Sequence, residues 1–100
     1  MNIKKNLTIE ETFALAFQNH KKDNLQIAEN FYEETLKINP NHFQSNFLLG
    51  TLSAQIKKFD IAIQLLNKAI KIDPDYMGAH NNLGNVLIEL KEEKKKTKAG

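Results

Sequence analysis

Pro40 and Pro74 stand 34 residues apart, and each closes a pattern that recurs at the same period. Laying residues 9–42 over 43–76 matches Phe13 with Phe47, Leu15 with Leu49, Ile27 with Ile61 and Ala28 with Ala62. Lys37 with Lys71 and Ile38 with Ile72 follow in the same register. Self-similarity at this spacing marks a stack of two-helix units, each burying its apolar face against the next, rather than one globular core. Such an architecture argues for binding rather than catalysis.

A chain of 100 residues holds about three units of this size. Its 41% hydrophobic and 26% charged residues suit a chain that buries a core. The absence of cysteine rules out disulfides, thiolate metal sites and a cysteine nucleophile. The start, MNIKKN, is basic, but Glu10 and Glu11 interrupt any apolar run, so no secretory leader is expected. No stretch approaches the roughly 20 apolar residues of a membrane span, and a cytoplasmic location follows as the expectation. The net charge of +2 hides an asymmetry: residues 91–100 hold five lysines against two glutamates, while residues 1–90 hold nine lysines against ten acids. All fourteen basic residues are lysine. Without arginine's bidentate fork, a specific nucleic-acid surface is not expected, and the lysine tail reads as a solvated helix end.

Thr8 followed by Glu11 has capping-box spacing and predicts a helix from about Ile9 to His20. Lys22-Asp23-Asn24 breaks it, and a second helix spans about Leu25 to Ile38, stopped at Asn39-Pro40-Asn41. The next unit repeats this with helices over about Gln44–Ile56 and Phe59–Ile72, closed by Asp73-Pro74-Asp75. A fifth helix begins at Met77 and is expected to end near Leu90, because KEEKKKTKAG has no apolar face. The division is therefore a leader (1–8), two full repeats (9–42 and 43–76), the first helix of an incomplete third (77–90) and a charged tail (91–100).

These residues resemble the tetratricopeptide-repeat (TPR) family, whose pattern places a Leu-Gly pair, an Ala, an aromatic and a closing Pro at fixed offsets. The second unit reads Asn46, Leu49-Gly50, Ser53, Ala62, Leu66, Pro74; the first reads Thr12, Leu15-Ala16, Asn19, Ala28, Tyr32, Pro40. The third begins His80, Leu83-Gly84, Leu87. The resemblance covers residues 9–90 and implies an all-α, right-handed superhelical solenoid of about two and a half helix-turn-helix units, five helices in all. Gly50, Gly84 and Ala16 are small where paired helices should cross closely, with Ala28 and Ala62 facing them. Thr12, Asn46 and His80 stand where the family has packing aromatics, so looser packing is expected there.

No catalytic constellation is readable. His20, His42 and His80 lack metal-ligand spacing, Ser45 and Ser53 have no accompanying His–Asp arrangement, and phosphate-loop glycine patterns are absent. No enzyme activity, metal or cofactor is therefore expected. The resemblance implies that first helices line a concave groove for an extended peptide or a helix. By repeat phase its wall takes Phe13, Phe17 and His20, then Phe47, Thr51, Ala54 and Gln55, then Asn81, Asn85, Ile88 and Glu89. The phenylalanines could equally fold into the seams between units. Family members that grip a C-terminal carboxylate use cationic and amide side chains at phases held here by Phe13, Phe17, Leu48, Gly78 and Asn82. The missing positive charge favours an apolar or amphipathic segment as ligand. Two further readings stand beside this one. Leu83, Gly84 and Leu87, left without a following helix, form a candidate self-association patch that would make a homodimer. The repeats could also be part of a larger modular enzyme.

Overall fold

The computed structural model describes residues 6–99. Residues 1–5 of the expected leader and Gly100 of the expected tail lie outside that range. Five helices follow in order: α1 (Ile9–Lys21), α2 (Leu25–Ile38), α3 (Phe43–Gln55), α4 (Phe59–Ile72) and α5 (Met77–Ala99). No strand occurs among the described residues. The helices pair as the antiparallel hairpins α1–α2 and α3–α4, with α5 against α4, and form an elongated body of 57 × 32 × 20 Å.

The punctuation is local chemistry repeated at the same period. Thr8 caps α1: its Oγ1 accepts from the Glu11 amide at 3.1 Å, while the Glu11 carboxylate accepts from the Thr8 amide at 2.9 Å. Each hairpin turns through a left-handed residue, Asp23 at φ 65° and Lys57 at φ 64°. Each Asx-Pro stop is tightened by its own side chain, Asn39 Oδ1 accepting from the Asn41 amide and Asp73 Oδ1 from the Asp75 amide.

Burial gathers into two clusters. Ala16, Ala28, Tyr32, Leu49 and Leu52 make one between α1, α2 and α3; Phe59, Ala62, Leu66 and Val86 make the other between α4 and α5. A Cβ built on Gly50 would stand 3.0 Å from Leu66 Cγ and 3.3 Å from Leu65 Cβ. A methyl there would have to push the Leu66 side chain back by a few tenths of an ångström. Ala28 and Ala62 are fully buried, as is Ala69 and its bulkier counterpart Thr35, whose hydroxyl donates to the Phe31 carbonyl.

Two expectations need correction. At Thr12 and Asn46, two of the three polar residues at the family's aromatic positions, the packing is not loose. Thr12 and Asn46 are buried; Thr12 donates to the Thr8 carbonyl, and Asn46 donates to the carbonyls of Pro40 and His42 at 3.0 and 2.9 Å. His80, though exposed, bonds the Pro74 carbonyl at 2.7 Å. Asn46 and His80 thus fasten equivalent proline turns to the helix that follows. The second correction concerns α5, which runs on to Ala99 instead of stopping near Leu90. Extending an existing helix costs little, and lysine and glutamate are good helix formers, so no apolar face is required. Pairs Lys95–Glu92 and Lys96–Glu93 lie along it, and Lys57 reaches across from α3's end to Glu93 at 3.3 Å.

Candidate functional site

The first helices of the units, α1, α3 and α5, present one wall. Between α3 and α5 lies a shallow open depression of about 170 Å³, lined by Thr51, Ala54 and Gln55 on one side and Asn82, Asn85, Val86 and Glu89 on the other. Steps of three and four residues put each set on one helix face. Thr51 Oγ1 donates to the Phe47 carbonyl and accepts from Asn82 Nδ2, both at 2.9 Å, which ties the two helices at the floor. Asn85 is exposed, and its side chain makes no hydrogen bond among the described residues. Farther along the wall, Phe17 is 38% exposed, stacked on Phe13 with centroids 6.2 Å apart, and the Lys21 ammonium sits 4.7 Å above its ring. Lys21, Gln55 and Glu89 share one repeat phase, so the wall runs from positive at α1 to negative at α5.

The residues expected on this wall divide. Phe17, Thr51, Ala54, Gln55, Asn85 and Glu89 lie on it. Phe13 and Phe47 instead sit half-buried in the seams between units. Phe13 meets His42 at 5.1 Å and Tyr32 at 6.1 Å, and Phe47 meets Tyr76 at 5.0 Å. These are equivalent contacts, since His42 and Tyr76 are themselves 34 residues apart. His20 is a strut rather than an open contact: Nδ1 lies 2.9 Å from the Tyr32 hydroxyl and Nε2 lies 2.7 Å from Gln55 Oε1. Burial pushes the Tyr32 hydroxyl well above its ordinary pKa, so it remains a donor. Gln55 Oε1 is an acceptor, so Nε2 carries a proton toward it, and Nδ1 faces the Tyr32 hydroxyl. Asn81 and Ile88 are exposed, Ile88 at 62%, but do not line the depression. Asn82, placed by the sequence only among the phases of a carboxylate grip, supplies the polar floor, and Asn81 does not.

The expected self-association patch also divides. Leu83 is half-buried against the second core cluster and is not bare. Gly84 and Leu87 are open; a Cβ on Gly84 would meet nothing within 4 Å, and Leu87 is 49% exposed. Among the described residues, no three His, Asp or Glu side chains gather where they could hold a metal ion, and no helix is long and apolar enough to cross a membrane.

Stacked helical hairpins in strict register, with small residues at the crossings and one wall left open, define a right-handed helical-repeat solenoid. Comparison with known proteins gives the same answer. A family profile described as "TPR repeat" matches residues 52–91. The human protein "DnaJ homolog subfamily C member 7" is 34% identical over 64 residues, covering 60% of this chain and 13% of that protein. A TPR repeat-containing protein of Schizosaccharomyces pombe is 30% identical over 76 residues, covering 76% of this chain and 9% of its own. The chain thus spans about a tenth of the length of these curated relatives. Among solved structures, the O-GlcNAc transferase of Thermobaculum terrenum superposes with a TM-score of 0.78 at 28% identity, over 88% of this chain and 17% of that one. The complex of the TPR2B domain of yeast Sti1 with pHsp70 gives 0.78 at 25% identity, over 87% and 70%. The C-terminal TPR-containing domain of a Plasmodium falciparum FK506-binding protein gives 0.81 at 24%, a likeness of fold. The chain belongs to the tetratricopeptide-repeat family.

Proposed function

We propose that this chain is a non-catalytic protein–protein interaction module, working in the cytoplasm, that holds an extended peptide or a helix of its partner on the wall formed by α1, α3 and α5. The observation that carries this reading is the open depression between α3 and α5, polar at Thr51, Asn82 and Asn85, with exposed Phe17 at the same repeat phase as Thr51 and Asn85. Its floor is held by side-chain bonds already made, so a ligand meets a surface that needs little ordering. Burying Phe17 against an apolar ligand residue supplies roughly 1.5–3 kcal/mol. Asn85 offers a carboxamide to a ligand backbone.

The ligand is an apolar or amphipathic segment rather than a free C-terminal carboxylate. Phe13, Phe17, Leu48, Gly78 and Asn82 occupy the phases where a carboxylate grip uses cations and amides, and none is charged. The yeast Sti1 domain, whose structure is a complex with pHsp70, supports a segment of another protein as the kind of ligand. Titration of the labelled protein with its captured partner segment should shift the resonances of Phe17, Thr51, Asn82 and Asn85. The doubly substituted Phe17→Ala/Asn85→Ala protein, folded but unable to capture that segment, is the expected outcome. Equal capture by both proteins removes the wall from the account. A second reading, that the wall serves within a larger modular enzyme, is favoured by the transferase relative, of which the chain matches 17%. A reading frame that continues beyond Gly100 into a catalytic domain would select it.

A further inference from the structure

We propose that the open side of α5 is a second docking seat, separate from the inner wall, for an amphipathic helix of another polypeptide whose first turns are acidic. The molecule contains its own template for such an occupant. Gly50 and Gly84 hold the same repeat phase. At Gly50 the space above the backbone is filled by Leu65 and Leu66 of α4, whereas at Gly84 it is open. The helix that closes Gly50 carries Ala62 and Leu66, one turn apart and both fully buried. A helix with a small residue and a leucine at that spacing is what Gly84 and Leu87 are shaped to receive.

The charge around the seat selects among helices. Beside Gly84, an open depression is lined by Leu87, Leu90, Lys91, Lys94 and Lys95. Lys95 pairs with Glu92 at 3.8 Å, while Lys91 and Lys94 have no carboxylate partner among the described residues. An occupant running antiparallel to α5, as α4 runs to α3, places its first turns against these lysines. Acids there would meet cations and also suit the occupant's own helix dipole. A second copy of this face fits less well, because Gly84, Leu87, Lys91 and Lys94 bring it no carboxylate.

The test uses the whole chain and a labelled synthetic helix of residues 59–72 with a glutamate-rich leader, beside a twin with a lysine-rich leader, read by fluorescence anisotropy. The glutamate peptide should bind about tenfold tighter than its twin at low salt, with the gap narrowing as salt rises. A Cβ on Gly84 meets nothing within 4 Å, so Gly84→Leu should fold normally by circular dichroism, fill the seat and weaken binding about tenfold or more. Lys91→Glu/Lys94→Glu should reverse the preference between the peptides. Phe17→Ala should leave binding unchanged; if it weakens binding as Gly84→Leu does, the peptide occupies the inner wall and the proposal fails. Equal binding of the two peptides, or no effect of Gly84→Leu, also overturns it. So does sedimentation as a dimer that Gly84→Leu converts to monomer, which would make a second copy the occupant.

Discussion

The hairpin α3–α4 and the lone helix α5 begin with nearly the same instructions and end in opposite surroundings. Leu49-Gly50 and Leu83-Gly84 are the same pair at the same phase. Gly50 is pressed against Leu65 and Leu66, and Gly84 faces open space. A glycine in a repeat sequence therefore specifies a permitted approach, and only the presence of a second helix turns permission into contact. The two seams between units teach the same lesson in another form. Phe13 packs on His42 in the first, and Phe47 packs on Tyr76 in the second, so one seam contains a titratable ring and the other a phenol.

The largest effect that separates closed from open should come from leucine truncation. Leu66→Ala empties a fully buried site between α3 and α4 and should lower stability by about 2–5 kcal/mol in urea unfolding. Leu87→Ala, half-exposed on α5, should change it by about 0.5 kcal/mol or less. Comparable losses at both would mean that α5 is covered in solution.

The proline turns give the next contrast. Asn46→Ala removes the buried side-chain donor from the Pro40 carbonyl and leaves the His42 carbonyl only its backbone amide partner, and should cost about 1–3 kcal/mol. His80→Ala removes a bond of the same kind at an exposed site, where water replaces the lost donor, and should cost about 0.5–1 kcal/mol by the same denaturation. A larger loss at His80 would reverse the order of the two turns.

The seams differ in pH response. Burial lowers the pKa of His42 against some opposition from Glu10, and its Nδ1 accepts from the Ser45 amide at 3.2 Å as the cap of α3. The folded value lies below the unfolded one of about 6.5, so the unfolded chain takes up protons first. The stabilisation is complete above about pH 6.5 and is lost as pH falls through the folded value. His42→Gln should flatten this part of the acid limb in thermal melts across pH 4.5–7.5, and an unchanged limb would remove His42 as its source.

How much of this was legible in the sequence depends on the kind of information involved. Element order and hairpin bounds followed from Thr8–Glu11, the Asx-Pro stops and the Leu-Gly pairs, because those act within a few residues of chain. Which residue of a neighbouring pair faces the wall did not. Asn81 and Asn82 differ by about 100° around α5, and repeat phase alone does not fix the rotation of a helix that lacks its partner. His20 looked free because its ties to Tyr32 and Gln55 cross two helix boundaries. The seam positions of Phe13 and Phe47 depend on ring packing against the following unit. The run of α5 to Ala99 was missed because the reading demanded an apolar face, whereas an elongating helix does not.

The central claim is that one 34-residue register places the same glycine in a closed crossing and on an open face. Urea unfolding of Gly50→Ala and Gly84→Ala tests it most directly. The account predicts opposite signs: Gly50→Ala loses about 1–3 kcal/mol because its methyl meets Leu66, and Gly84→Ala gains about 0.5–1 kcal/mol from helix propensity alone. Shifts of the same sign in both would contradict it.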